Sequence, residues 1–254
     1  MIIMPKFFVI SDIHSFYKPM INALNDAGFD TTNENHWLIS CGDVFDRGPD
    51  SVKVMKYLSN LPRKILIHGN HDQLFVDLCC RKYPYSYDKS NGTLETVYQL
   101  GLVDDYEQMF NIAMNRARPF LNSMVNYFET RNYIFVHSWI PLINKDNLPA
   151  HYTQNREFEF NPNWRNASQK EWDDAMWGNP FDCVAKGLNK TGKAIVFGHW
   201  HCSTGWANAE GRSEFGEDAK FDPYYGDSFI SIDACTAYSG KCNVIIIDDE
   251  FLEE

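Results

Sequence analysis

The chain has 254 residues, a formal net charge of −11 and a 44% hydrophobic content. That apolar share is enough to fill the core of one large α/β domain, and it excludes a wholly disordered chain. No lysine or arginine run offsets the acidity, which argues against long nucleic acid as the main partner, because phosphate contacts dominate such binding. A phosphate-bearing substrate stays compatible, since divalent cations held in a site supply their own positive field.

The opening Met1–Met4 is apolar but stops at Pro5 and Lys6, so no signal peptide is expected there. No segment approaches the run of about 20 apolar residues that a membrane helix needs. The seven cysteines are odd in number and lack zinc-ribbon spacing. Cys41, Cys202, Cys235 and Cys242 sit in or beside apolar runs and are expected to be buried, reduced thiols of a cytoplasmic protein.

In chain order, short apolar runs of strand type occur at Phe7–Ile10, Trp37–Cys41, Lys64–Ile67, Tyr133–Val136, Ala194–Phe197, Phe229–Ile232 and Val244–Ile247. They show little polar alternation, as strands covered on both faces do. Helical patterns separate the early ones. Met20, Leu24 and Ala27 share a face that Gly28 would end. Val52, Met55 and Leu58 repeat the spacing before Pro62, and Leu74, Phe75 and Leu78 follow the third run. Thr93 to Thr130 reads as further helix interrupted at Pro119. From Pro141 to Trp177 the chain is rich in asparagine, proline and aromatics with weak periodicity; it reads as an irregular insertion, either a substrate-facing cap or a plain surface excursion. The whole, 1–254, is expected to be a single layered α/β domain.

The chemistry lies where the strand-like runs stop. The first ends in Ser11-Asp12-Ile13-His14 and the second in Gly42-Asp43-Val44-Phe45-Asp46-Arg47-Gly48. The third ends in Gly69-Asn70-His71-Asp72, a fourth in His137-Ser138 and a fifth in Gly198-His199-Trp200-His201. Ligands bind beyond the carboxyl ends of strands in α/β sheets, so these ends are candidates for one rim. Carboxylate, imidazole and amide oxygen together suit borderline divalent metals such as manganese, iron or zinc. Any one motif alone is weak, and a lone histidine after a strand is more often structural. Five in succession draw in five of only eight histidines, and scattering so many polar groups at strand ends without partners is costly.

The order DxH, GDxxDRG, GNH[DE], H, GHxH resembles the calcineurin-like metallophosphoesterases, closest to the bacterial and phage phosphoprotein (serine/threonine) phosphatases and the diadenosine tetraphosphate hydrolases. The resemblance runs from Asp12 to His201, and Ser231–Ser239 is similar to the group's closing strand. It implies a four-layer α/β/β/α sandwich with mixed sheets and a centre of two divalent metal ions, manganese first, with iron, zinc, cobalt or nickel as alternatives. Asp12, His14 and His201 would hold one ion, and Asn70, His137 and His199 the other. Asp43 would bridge both, and water activated between the ions would attack phosphorus directly. His71 would be the general acid, oriented by Asp46. Arg47, with Asn70 and His71, would grip the phosphate, although a salt bridge to Asp46 or Asp72 is a competing role for Arg47. Asp72 is expected to cap the following helix.

This sequence departs from that pattern at Ser15, where the phosphoprotein phosphatases have glycine. It also departs after Trp177-Gly178-Asn179-Pro180, where no arginine follows closely; Arg156, Arg165 and Arg212 are the possible substitutes, each a plausible surface residue. His201 is itself a departure from many of that group. His36, His68 and His151 lack ligand spacing. The implied partner is a phosphorylated protein or a small phosphate ester or nucleotide. Tyr152, Phe158, Phe160, Trp164 and Trp172 would either stack a nucleobase or pin the insertion to the core. A catalytically silent scaffold is the rival of another class, and the intact ligand set counts against it.

Overall fold

The computed structural model describes residues 4–145 and 157–252. The strands are β1 (Lys6–Ile10), β2 (His36–Ser40), β3 (Lys64–Leu66), β4 (Tyr127–Glu129), β5 (Tyr133–Val136), β6 (Leu142–Asn144), β7 (Phe158–Phe160), β8 (Ala194–Phe197), β9 (Tyr224–Tyr225), β10 (Phe229–Ser231) and β11 (Ile245–Asp248). The helices are α1 (Tyr17–Asp26), α2 (Ser51–Asn60), α3 (Asn70–Arg81), α4 (Ser86–Ser90), α5 (Thr93–Gly101), α6 (Tyr106–Leu121), α7 (Gln169–Ala175), α8 (Pro180–Ala185), α9 (Cys202–Glu210) and α10 (Thr236–Ser239).

One sheet has the order β11-β1-β2-β3 and the other β4-β5-β8-β10-β9. Within each, the three central or consecutive strands run parallel (β1, β2, β3 and β5, β8, β10), while β11, β4 and β9 pair antiparallel at the edges. Both sheets are therefore mixed, as expected. Alternate side chains of a strand point to opposite faces, and β1 shows what that does here. Phe7 and Val9 meet Ile39, Phe135, Val196, Ile230 and Ile247 in a core between the two sheets. Phe8 and Ile10 face the other way, onto Met20, Val54, Phe75, Val97 and Phe110 of α1, α2, α3, α5 and α6. On the far side, Ile134, Val136, Ile195 and Phe197 pack against Trp164, Trp172 of α7 and Phe181 of α8. Three apolar seams separate four layers, in the order α/β/β/α.

Two expectations need correction. The helix expected over 93–130 ends at Leu121, β4 takes up Tyr127–Glu129, and Pro119 lies inside α6 rather than interrupting it. The break falls at Leu102, which takes a left-handed backbone (φ +49°) and ends α5. A proline two residues before the end of a helix removes few backbone bonds, whereas a left-handed residue stops propagation. The stretch 141–177 is also less irregular than its composition implies. Its described residues include the antiparallel pair β6 and β7, a short 3₁₀ turn at Trp164–Asn166 and α7; residues 146–156, with His151, Tyr152 and Arg156, lie outside the described residues. Among the described residues, no helix is long and apolar enough to cross a membrane.

Candidate active site

The two sheets turn the carboxyl ends of their parallel strands toward each other. Asp12 follows β1, Asp43 and Asp46 follow β2, and Asn70 and His71 open α3 after β3. From the other sheet, His137 follows β5 and His199 and His201 follow β8. Backbone strain marks the same loops. Asp12, His14, Ser15, Asp43, Asp46, Arg47, His199 and Cys235 all have φ between +47° and +75°. For residues with a side chain this region costs on the order of 1 kcal/mol each and persists only where surroundings enforce it. Part of that enforcement is Asp72. Its carboxylate accepts the backbone N–H groups of Asp43 (3.1 Å), Val44 (3.1 Å) and Phe45 (3.3 Å). It also accepts that of Gly69 (3.0 Å), the capping bond expected of it. Burial and the charge of Asp43 push the Asp72 carboxyl up to about 7. At Ser15 (φ +60°), where the resemblance implies glycine, the hydroxyl meets that of Ser51 at 2.8 Å.

Most of the histidines have one ring nitrogen engaged away from the centre. His14 Nδ1 lies 3.0 Å from Phe45 O, and His137 Nδ1 lies 2.8 Å from Cys41 O. His199 bonds the Trp177 backbone. That leaves Nε2 of His14 3.7 Å from Asp43 Oδ2, and Nε2 of His137 3.4 Å from Asp43 Oδ1 and 2.7 Å from Asn70 Oδ1. A neutral His137 that gives its Nδ1–H to a carbonyl turns a lone pair at Nε2 toward the lone pairs of Asn70, a repulsive contact that a cation makes favourable. The donor set thus fits a metal ion. Electrostatics agree. Burial, then the neighbouring His71, holds His14 well below the usual imidazole range. Burial, then His137, pushes His199 down to about 3. Burial opposes ionisation of Asp43, but His137, His71, His14 and His199 together pull it well below the usual carboxylate range. Asp12 is raised by burial and by the charges of Asp233 and Asp43.

Two groups of donor atoms lie within 4.8 Å of one another: His14, Asp43 and His71 form one, and Asp43, His137 and His199 the other. Asp43 belongs to both. Asp12 and His201 stand outside these tight groups but line the same cavity of about 80 Å³, with Asn70 and Arg47. Asp12 Oδ2 accepts the His199 N–H at 2.9 Å, and the Ser11 hydroxyl donates to the same oxygen.

His71 is bound differently from the other rings. Its Nδ1 is 2.8 Å from Asp46 Oδ2, and its Nε2 is 3.3 Å from Arg47 Nη2. Thr93 and Thr96 of α5 donate their hydroxyls to Asp46 at 2.6 and 3.0 Å. Burial lowers the His71 pKa, but Asp43 and Asp46 outweigh it and the net shift is upward. Asp46 itself is raised by burial, against the bonds from His71 and the threonines. Arg47 is exposed, and its guanidinium meets His71 rather than pairing with Asp46 or Asp72.

Asp233, absent from the residue set expected from sequence, lines the cavity after β10 and is 4% exposed. An apolar run ending in a carboxylate, the signal used for Asp12, was present there. Arg165 forks onto Glu129 and Arg212 pairs with Glu210, so both surface alternatives are engaged elsewhere. Trp164 and Trp172 are buried; Trp172 stacks on Tyr127 and Trp164 meets it edge to face, pinning the insertion to the core. The Trp177-Gly178-Asn179-Pro180 motif ties loops together: Ser138 Oγ donates to Gly178 O at 2.6 Å, and Asn179 caps α8. His36 packs at the surface against Phe8 and Phe29, and His68 is half-buried beside His137.

This chain is similar to curated enzymes called symmetrical bis(5'-nucleosyl)-tetraphosphatase. It is 41% identical to the one of Photorhabdus laumondii over 66 residues, covering 26% of this chain and 23% of that protein. It is 31% identical to the one of Legionella pneumophila (strain Lens) over 103 residues, covering 40% and 35%. The chain thus matches less than half the length of these relatives. A serine/threonine phosphatase from Saccharomyces cerevisiae shares the fold at a TM-score of 0.54 and 14% identity, over 100% of this chain and 82% of that one. So does a cold-active protein-tyrosine phosphatase of a Shewanella species, at 0.55 and 12%, over 96% and 76%. The calcineurin-like phosphoesterase model matches residues 5–203, a span that runs from the first strand through the loops carrying Asp12, Asp43, Asn70, His137, His199 and His201; the chain belongs to that family.

Proposed function

We propose that this protein is a phosphoesterase whose residues hold two divalent cations on either side of Asp43. The observation that carries the reading is the membership of Asp43 in both donor groups. Asp12, His14 and His201 would hold one cation, and Asn70, His137 and His199 the other. When bound, such cations make water nucleophilic near neutral pH and polarise phosphoryl oxygens. The remaining work falls to this chain's own side chains. His71 holds a proton toward the leaving oxygen at Nε2, and Asp46, fixed by two threonine hydroxyls, keeps the ring oriented. Arg47 donates to the same Nε2, so protonation of His71 releases the guanidinium toward phosphate oxygens.

Hydrolysis of glycerol 2-phosphate with and without manganese tests this. Activity that depends on the metal and vanishes in Asp43→Asn is expected. No turnover with any divalent cation would leave the silent scaffold standing.

Within this class, a phosphoserine or phosphothreonine substrate rests on motif resemblance. A dinucleoside polyphosphate has a specific observation behind it besides the names of the relatives. Phe215 and Tyr238 are 45% and 56% exposed and meet edge to face at 5.3 Å. The Phe215 ring is 5.0 Å from that of His201, so a base stacked there sits one ring away from the cavity. Stacking contributes about 1–3 kcal/mol per base. Phe215→Ala is therefore expected to raise KM for a dinucleoside tetraphosphate roughly tenfold and to leave that for a phosphothreonine peptide unchanged; the opposite pattern favours the phosphoprotein.

A further inference from the structure

Three of the four histidines read as metal ligands rest on backbone: His14 on Phe45, His137 on Cys41, His199 on Trp177. His201 does not. Its Nδ1 is buried and makes no hydrogen bond among the described residues, yet Glu214 Oε1 stands 3.3 Å away. The chain reaches that point by a defined route. His201 immediately precedes α9, which ends at Gly211 in a left-handed conformation (φ +68°), and the following turn brings Glu214 and Phe215 back over the imidazole. Thr204 Oγ1, on the first turn of α9, donates to the same Glu214 oxygen. Phe215 meets the ring edge to face at 5.0 Å. The carboxylate is thus held at ion-pair distance from an imidazole nitrogen that has no other partner among the described residues.

We propose that Glu214 is the positioning residue of His201. A buried N–H donor without a partner is unfavourable, and a small rotation of the ring aligns it with Oε1. The carboxylate then keeps the proton on Nδ1, points the Nε2 lone pair into the cavity and strengthens it as a donor, the effect of outer carboxylates on metal-bound histidines. This makes the cation on the Asp12, His14 and His201 side more sensitive to a surface loop than its neighbour, whose histidines rest on main chain. The inference rests on the reading of His201 as a ligand.

Manganese titration by calorimetry and electron paramagnetic resonance tests it on wild type, Glu214→Ala, the isosteric Glu214→Gln, Thr204→Val and His201→Ala. Glu214→Ala is expected to weaken one of two sites about 10–100-fold and leave the other unchanged. Glu214→Gln falls between, with the melting temperature of its metal-free form matching wild type. Thr204→Val, which frees the loop but keeps the carboxylate, has a much smaller effect. Unchanged manganese affinity in both Glu214 variants would overturn the proposal. So would a Thr204→Val loss equal to that of Glu214→Ala, or a metal-free Glu214→Gln protein destabilised in step with its lost affinity, since either outcome makes the role structural. If His201→Ala also binds both ions normally, the ligand reading fails; if it loses one while the Glu214 variants lose none, only the positioning role fails.

Discussion

The carboxylate of Asp12, at the end of β1, accepts a 2.9 Å hydrogen bond from the backbone N–H of His199, which follows β8 in the other sheet. That bond closes the two sheets over one cavity. It depends on Gly198, because a Cβ there would overlap Ser11 Oγ and Asp12 Oδ2. Gly198→Ala is expected to lower stability by about 1–3 kcal/mol through overpacking and to weaken metal binding as Asp12 is displaced. Thermal unfolding and manganese titration check both; a variant identical to wild type in both would show that the close approach is dispensable.

His71 shares a donor group with His14 and Asp43, so its geometry alone admits a ligand role. Its Nδ1 bond to Asp46 and its contact with Arg47 favour acid catalysis. His71→Asn is expected to keep two manganese ions and to lose turnover by about 10²–10⁴-fold. Loss of an ion would reassign the residue as a ligand.

Asp43 is expected to matter to both ions at once. Asp43→Asn removes the charge that His14, His137, His71 and His199 surround. Both manganese affinities should fall together, by more than the roughly 10–100-fold that loss of an outer partner costs. Calorimetry that finds one site untouched would place the bridge elsewhere.

Away from the centre, Glu129 sets an acid limit on stability. Its buried carboxylate receives two bonds from Arg165 (2.8 and 2.6 Å), and Lys193 lies 2.7 Å away. Burial raises its pKa, but Arg165 and Lys193 outweigh this and the net shift is downward. The unfolded chain therefore binds the proton first. The stabilisation is fully present above the ordinary glutamate pKa of about 4.3 and is lost as pH falls through the lower folded value. Glu129→Gln is expected to cost about 1–2 kcal/mol at pH 7, Arg165 being partly in water. That gap should narrow toward pH 3 in paired melting curves. A gap independent of pH would remove the charge from the explanation.

All seven strand-like runs in the sequence are strands; even the three-residue β3 and β10 sit inside longer apolar runs, which carry the signature. The edge strands β4, β6, β7 and β9 have two or three residues apiece; they exist through pairing with a neighbour, which leaves little local pattern. The convergence of Asp12, Asp43, Asn70, His137, His199 and His201 was legible because each follows an apolar run. Thr93 and Thr96 were not, because they reach Asp46 from a helix almost fifty residues further on. Glu214 was equally hidden, since only the turn after α9 brings it to His201. Trp164 and Trp172 show the reverse limit. An aromatic run in a polar stretch suits a base-stacking cap and a buried anchor equally well in sequence, and packing against Tyr127 decides it.

A manganese-soaked crystal measured at the metal's absorption edge would locate the ions directly. Two anomalous peaks about 3.5–4 Å apart, one on each side of the Asp43 carboxylate, are the expected result. A single peak, or two peaks that do not share Asp43, would contradict the paired-cation centre.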